Sequence, residues 1–134
     1  MNFTFIRNLP FLNGTPEGRL KWKPDLVVFD HSDVDITRGS VLYERKGFSF
    51  WESCLAFELK FNRTKSVHCF HHSWQSDIRK LGDIRRRHYE NTDKHFYGAF
   101  VLFSRTLIPR MVFDEIDAYS RTVDIKPICY SLNP

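Results

Sequence analysis

A run of ten residues, SCLAFELKFN at positions 53–62, has the strict alternation of a β-strand within a sheet. The alternation divides the side chains into an apolar face and a mixed face: Leu55, Phe57, Leu59 and Phe61 on the first, and Ala56, Glu58, Lys60 and Asn62 on the second. The mixed face places an acid and a base two residues apart. The pattern therefore predicts a strand that carries opposite charges into otherwise apolar surroundings.

The residues after this strand indicate a helix and then another buried strand. Apolar side chains recur at helical spacing over residues 74 to about 90, and Ser73 and Ser76 are both suitable N-caps. The run YGAFVLFS at 97–104 is typical of a buried strand. A helix that crosses from one strand to the next implies parallel pairing, so the sequence predicts an α/β fold with a mixed central β-sheet flanked by helices.

Shorter patterns predict further strands in the first half of the chain. Residues 2–7 alternate, and the unbroken apolar run at 26–29 is typical of a central strand that is covered on both faces. Residues 30–40 are polar and rich in turn formers, so the chain is expected to leave the core there. An exposed hairpin over 41–53, turning at Lys46 and Gly47, is an optional further element.

The last part of the chain predicts a short helix and a final strand. Asp114, Glu115 and Asp117 would place negative charge in the first turn of a helix that ends near Thr122, where the charge is favourable against the helix dipole. Residues 125–132 are expected to form a strand. Pro127 indicates that this strand lies at an edge of the sheet, because proline has no N–H to donate.

Length and composition limit the class of protein. With 134 residues and an apolar share of 42%, the chain is predicted to form a single domain over residues 1–134. No stretch reaches the ~18–20 apolar residues of a membrane span, and the start lacks the apolar block of a signal peptide. An intracellular protein without membrane contact is therefore expected. The three cysteines form neither an even set nor a CxxC pair, so their thiols are expected to be reduced.

The net charge of +4 comes from one short segment. Residues 79–88, RKLGDIRRRH, contain five basic side chains and one acid, and the rest of the chain is balanced. A focused basic patch of this kind suits an anionic partner, most often nucleic acid. The alternative is a solvated helix face.

Three charged residues on predicted strands suggest a site for chemistry. Asp25 opens the strand that contains the apolar run, and Glu58 and Lys60 lie within the later strand. If the two strands are neighbours, both carboxylates and the ammonium group meet on one face of the sheet. Carboxylates suit Mg²⁺ or Mn²⁺, and the backbone carbonyl of Leu59 is a natural further ligand. A bound ion would polarise a phosphate and lower the pKa of a water, while the lysine could orient that water.

With Pro24-Asp25, then Glu58-Leu59-Lys60, then the helix sequence QSDIRKLGDIRR, the chain resembles the PD-(D/E)XK nuclease superfamily over residues 20–104. The resemblance implies a restriction-endonuclease-like core and an Mg²⁺- or Mn²⁺-dependent nuclease that hydrolyses phosphodiester bonds, with DNA the expected substrate before RNA. Asp25 and Glu58 would bind the metal and Lys60 would be the catalytic lysine. The helix would contact the nucleic-acid backbone, through the residues Gln75, Arg79, Lys80, Arg85, Arg86 and Arg87.

Members of this family commonly carry a further glutamate in a helix ahead of the first core strand. In this chain the sole acid before Asp25 is Glu17. A homodimer, a further subunit or a further domain could supply the missing acid. There are two rival functions: a catalytically silent nucleic-acid-binding or assembly module with the same fold, and a protein interaction domain whose arginine helix meets an acidic partner.

Three other groups of residues support weaker interpretations. His68, Cys69, His71 and His72 include zinc-ligand types, but adjacent residues cannot all reach one ion, so a loop is the expected structure. Phe48, Phe50 and Trp51 could stack on bases or contact a second subunit if they are exposed. Cys54 and Cys129 have no nearby histidine in the sequence, which gives a thiol nucleophile no support.

Overall fold

A mixed β-sheet organises the part of the chain that the computed structural model describes, namely residues 3–7, 11–12, 20–22, 24–30, 34–37, 47–50, 54–63 and 71–132. The strands in chain order are β1 (Phe3–Arg7), β2 (Phe11–Leu12), β3 (Leu20–Trp22), β4 (Leu26–Asp30), β5 (Val34–Thr37), β6 (Gly47–Phe50), β7 (Cys54–Asn62), β8 (Phe96–Ser104) and β9 (Lys126–Ser131). The helices are α1 (His71–Thr92) and α2 (Arg110–Thr122).

Within these residues the main sheet has five strands in the order β1-β4-β7-β8-β9. The pairs β1/β4 and β4/β7 are antiparallel, whereas β7/β8 and β8/β9 are parallel. Parallel neighbours need a crossover, and α1 and α2 supply the two crossovers. The predicted α/β class with a mixed sheet is confirmed, and so is the edge position of the strand that contains Pro127.

The described strands outside the main sheet form two short ribbons, β2 with β3 and β5 with β6. Residues 47–50 form β6, which pairs with β5 at 34–37, a pairing that the sequence did not predict. Residues 38–46, which include Lys46 of the expected turn, lie outside the described residues. The strand signal of Val34, Ile36 and Thr37, all β-branched, is concealed in the sequence by the polar residues around it.

The core lies between the sheet and the helices. From the helices it receives apolar side chains at helical spacing: Trp74, Ile78, Leu81 and Ile84 of α1, and Val112 and Ile116 of α2. From the sheet it receives Val27, Ala56, Phe100 and Leu102. Because Val27, Ala56 and Glu58 point to the same side, the mixed face of β7 is the face that the helices cover. The predicted alternation is confirmed, and its acid is in the buried layer.

The second helix begins earlier than the acidic residues suggested. It starts at Arg110 after Pro109, so the first turn contains no acid. Proline with a fixed φ is suited to the start of a helix, and here it sets the start one turn ahead of Asp114. The acids instead form ion pairs along the helix: Asp114 with Arg110 at 2.9 Å and Asp117 with Arg121 at 2.7 Å. The first helix also begins earlier, at His71.

No helix in the described part of the chain combines the length and the apolar character that a bilayer crossing requires.

Candidate functional site

One predicted metal-binding acid lies just before β4 and the other lies on the neighbouring strand β7. In the antiparallel pair β4/β7, Leu26 is opposite Phe57, so the residue before Leu26 is in line with the residue after Phe57. These residues are Asp25 and Glu58. The carboxylate oxygen Oδ2 of Asp25 accepts a hydrogen bond of 2.8 Å from the backbone N–H of Leu59. The structure therefore brings Asp25 beside the Glu58-Leu59 segment, although Asp25 itself lies just before the strand begins.

The same hydrogen bond orients the carbonyl of Leu59. The N–H of Cys54 donates to the carbonyl of His95 at 3.2 Å, so even-numbered residues of β7 direct their amides toward β8 and odd-numbered residues toward β4. In a hydrogen-bonded antiparallel pair, both the N–H and the C=O of a residue face the same neighbour. The residue in line with Leu59 is Pro24, which has no N–H to donate to the Leu59 carbonyl. That carbonyl therefore faces the side where Asp25 lies.

Glu58 is buried by the helices, with 5% of its surface exposed. Removal of the carboxyl from water disfavours its charged form and raises the pKa of Glu58 to about 7. The negative charges of Asp25 and Asp77 act in the same direction, whereas the hydrogen bond and positive charge of Lys80 oppose the rise. Near neutral pH the protonated and charged forms of this carboxyl are therefore both populated.

The lysine in contact with Glu58 comes from the helix. The ammonium group of Lys80 forms an ion pair with Oε1 of Glu58. Lys60, the lysine that the sequence placed beside Glu58, instead binds Oδ2 of Asp77 at 2.9 Å. Lys60 and Asp77 are each about one quarter exposed, so both partners of this second pair reach solvent, whereas Glu58 does not. The cluster thus contains Asp25, Glu58, Lys60, Asp77 and Lys80.

Asp77 is the member of this cluster that was not predicted from the sequence. It lies three residues before Lys80 in α1, and residues three apart share one side of a helix. With Lys80 already a candidate, helical spacing was a usable signal for Asp77. The signal was weak because nothing in the sequence showed which side of α1 faces β7.

The donor set for a metal is small. Among the residues with described side chains, no group of three or more His, Cys, Asp and Glu residues could hold an ion. Asp25, Glu58 and the carbonyl of Leu59 provide two carboxylates and one neutral oxygen. A hexacoordinate Mg²⁺ or Mn²⁺ commonly takes only one or two protein carboxylates and completes its shell with water and substrate phosphate. These oxygens therefore fit such an ion, and they do not fit zinc, which prefers nitrogen and sulfur ligands.

The basic residues of α1 do not form one continuous surface. Five residues apart, Lys80 and Arg85 are separated by about 140° around the helix axis. Lys80 contacts Glu58, while Arg85 forms an ion pair with Asp124 on the other flank.

The remaining predicted phosphate contacts lie between these flanks. Arg79 and Arg86 are exposed and Gln75 and Arg87 are partly exposed. Arg79 donates to the Tyr119 hydroxyl at 3.2 Å, and Arg86 is 3.3 Å from Asp83.

A groove of about 670 Å³ lies on the Arg85 flank of α1. Arg85, Tyr89 and His95 line it together with acids that include Asp124. The groove is separate from the Glu58 cluster, and its lining mixes both signs of charge.

Burial removes both described thiols from consideration as nucleophiles at neutral pH. Desolvation raises the pKa of Cys54 to about 12 and the pKa of Cys129 to about 11. The histidine and cysteine segment at 68–72 and the aromatic residues at 48–51 cannot be placed in the same way. Residues 68–70 and 51 lie outside the described residues, as do the side chains of residues 48, 50, 71 and 72.

Comparisons of the chain with protein-family models, with curated proteins and with solved structures find no match. A function for this chain therefore has to be inferred from the geometry and charges of the Glu58 cluster.

Proposed function

We propose that the protein is an Mg²⁺- or Mn²⁺-dependent nuclease with a restriction-endonuclease-like core, and that Asp25 and Glu58 hold the metal. The observation that carries the proposal is the hydrogen bond from the Leu59 amide to Asp25, which joins the two predicted motifs at one place. The order of antiparallel strands, helix and parallel strand formed by β4, β7, α1 and β8 agrees with the resemblance. DNA is proposed as the substrate in preference to RNA.

Each residue of the cluster would have a distinct role. Asp25, Glu58 and the Leu59 carbonyl would bind the ion, which supplies polarisation of the phosphate and a water of lowered pKa. Lys60 lies closer to solvent than Glu58, where an ammonium can orient a water or balance developing charge. Asp77 positions Lys60 through their 2.9 Å contact. Exposed Arg79 and Arg86 would contact the substrate backbone.

Proton release from Glu58 is a condition for metal binding, because only the carboxylate form is a strong ligand. With a pKa near 7, a proton competes with the ion at Glu58 under neutral conditions. Metal affinity is therefore expected to increase between pH 6 and pH 8. Lys80 must also exchange its contact with Glu58 for another partner when the ion binds.

A second candidate is a catalytically silent nucleic-acid-binding or assembly module. The observation in its favour is that each lysine of the cluster already has an acid partner, Lys80 with Glu58 and Lys60 with Asp77. Such a closed set of charges can serve to hold α1 on the sheet without chemistry. The upstream acid of the family has no counterpart among the described residues, and a homodimer or further subunit would supply it if the nuclease is active.

Cleavage assays with matched variants test the proposal. Labelled single-stranded and duplex DNA and RNA are incubated with Mn²⁺ or Mg²⁺, with EDTA as the metal-free control. Asp25→Asn, Glu58→Gln and Lys60→Met keep side-chain size, and each should reduce cleavage by about 100-fold or more. Asp114→Asn, which changes a carboxylate on α2, should leave the rate unchanged.

Metal binding gives a readout that is independent of turnover. Titration of Mn²⁺ into the protein, followed by electron paramagnetic resonance, should show a site that Asp25→Asn and Glu58→Gln each weaken and Asp114→Asn does not. Nucleic-acid binding that survives all three cluster substitutions, without metal-dependent cleavage, would instead establish the silent module. No binding of either nucleic acid at physiological salt would favour a protein interaction domain.

A further inference from the structure

The face of the sheet opposite the helices carries a row of aromatic side chains. Phe61 of β7 is in register with Phe103 of β8, and Phe103 is in register with Tyr130 of β9. The rings of Phe61 and Phe103 stack with centroids 5.1 Å apart and planes 14° apart, and Phe103 and Tyr130 are 6.5 Å apart. Three neighbouring strands thus present one aromatic row.

This row is open to solvent at both ends. Phe61 is 55% exposed and Tyr130 is 62% exposed, while Phe103 between them is half-buried. Strands lie about 4.8 Å apart, so the two exposed rings are separated by about 10 Å across the sheet. Large aromatic side chains with this exposure usually mark a contact surface.

The charged residues around the row are basic. Arg63 and Arg105 are exposed and lie two residues beyond Phe61 and Phe103, at the ends of their strands. Lys126 is exposed on β9, on the same face as Tyr130. Of the residues in β7, β8 and β9 that alternate onto this face, none is acidic. The surface therefore combines stacking groups with positive charge.

We propose that this aromatic row binds single-stranded nucleic acid. Unpaired bases would stack on Phe61 and Tyr130, and phosphates would contact Arg63, Arg105 and Lys126. Stacking requires bases that are free of a duplex partner, and positive charge attracts the phosphates between them. A symmetric contact with a second copy of the chain is less suitable, because it would bring two basic surfaces together.

The proposal goes beyond the nuclease function and does not depend on it. Glu58 lies on the helix-covered face of β7, whereas Phe61 lies on the opposite face. Binding to the aromatic row needs neither metal nor hydrolysis. Failure of the nuclease proposal would leave the row untouched, and failure of the row would leave the metal site untouched.

Fluorescence anisotropy of labelled oligothymidine and oligouridine in EDTA tests the inference. Phe61→Ala and Tyr130→Ala should each weaken single-strand binding about 5- to 100-fold, the range for loss of one stacked base. Met111→Ala on α2 is the matched control, because Met111 is 62% exposed like Tyr130 but lies away from the row. The affinity of Met111→Ala for the oligonucleotides should equal that of the wild type. Far-ultraviolet circular dichroism establishes that each variant is folded.

Charge reversal gives a second, independent measurement. Arg63→Glu and Arg105→Glu should weaken binding and reduce the slope of log affinity against log salt, because fewer counterions are released. Wild-type affinity in both Phe61→Ala and Tyr130→Ala would overturn the proposal. Equal losses of affinity for single-stranded and duplex DNA would also overturn it. The same holds if the variants change self-association, measured by sedimentation, and leave the affinity for nucleic acid unchanged.

Discussion

The Asp25 carboxylate and the Leu59 amide are joined by a 2.8 Å hydrogen bond across 34 positions of sequence. The bond occurs where β4 begins, and there the side chain of Asp25 takes the place of a strand carbonyl as acceptor. Asp25 therefore has a structural role in the β4/β7 pair in addition to any role in metal binding. Variants that test its chemistry must preserve this acceptor.

Asp25→Ala should be less stable than Asp25→Asn. Alanine leaves the partly buried Leu59 amide without its acceptor, at a cost of about 1–3 kcal/mol, whereas the asparagine oxygen can accept the same bond. Urea unfolding measures both free energies. Equal losses in the two variants would contradict a structural role for the hydrogen bond.

The burial of Glu58 should make stability depend on pH. Its pKa rises from 4.5 to about 7 on folding, so the folded protein holds this proton more tightly than the unfolded chain. The stabilising contribution is therefore complete below about pH 4.5 and is lost as the pH increases through about 7. Each pKa unit corresponds to about 1.4 kcal/mol, which limits the effect to about 3 kcal/mol.

Comparison with Glu58→Gln isolates this contribution, because glutamine does not titrate. From pH 5 to pH 8, the free energy of unfolding of the wild type should decrease relative to that of Glu58→Gln. Urea titrations at several pH values provide the measurement. Parallel pH profiles for the two proteins would show that Glu58 is not desolvated.

The two lysines of the cluster should differ in their importance for stability. At pH 8, Lys80→Met leaves a buried Glu58 carboxylate without its cation, at a cost of about 3 kcal/mol. At pH 5.5 the cost should be smaller because Glu58 is protonated. Lys60→Met should cost less than about 1 kcal/mol at either pH, since Asp77 is 24% exposed and remains hydrated. Equal effects of both substitutions at pH 8 would contradict the assignment of Lys80 to Glu58.

Gly82 of α1 packs closely against Val123, which directly follows α2. A Cβ added at Gly82 would lie 2.7 Å from the Cβ of Val123, and neither atom can move without backbone movement. Gly82→Ala should therefore destabilise the protein by about 1–3 kcal/mol, although alanine is the better helix former by about 1 kcal/mol.

A double-mutant cycle with Val123→Ala tests the contact between Gly82 and Val123. The methyl groups lost at Val123 relieve part of the crowding, so the double variant should be more stable than the sum of the single effects predicts. Thermal unfolding of the wild type, the two single variants and the double variant measures this coupling. Additive losses would show that the methyl groups of Val123 do not contribute to the crowding, because Val123→Ala keeps the Cβ that lies closest to position 82.

Local patterns were sufficient for the elements with clear periodicity. The alternation of residues 53–62 and the helical spacing after Trp74 predicted β7 and α1, because each period reflects which side chains leave water. Pro127 predicted an edge strand because proline has no N–H to donate to a neighbouring strand. The predicted start of α2 was wrong because it was based on the acids and the helix dipole, while Pro109 decided where the helix begins.

The candidate site was predictable only in part. The sequence placed Asp25 at the start of one recognisable strand and Glu58 within another, and it predicted their meeting only on the condition that the two strands are neighbours. The partner of Glu58 could not be predicted, since Lys60 and Lys80 are both plausible until the rotation of α1 against the sheet is known. Asp77 was missed for the same reason.

The sequence by itself determined the strands with clear alternation or an unbroken apolar run, the main helix and the residue types available for chemistry, because these depend on interactions between near neighbours. The tertiary structure decided which charges meet, which face of β7 is buried and which aromatic residues remain in solvent. Those outcomes depend on how the helices pack across the sheet. Packing balances all contacts of the core together, and no short segment contains that information.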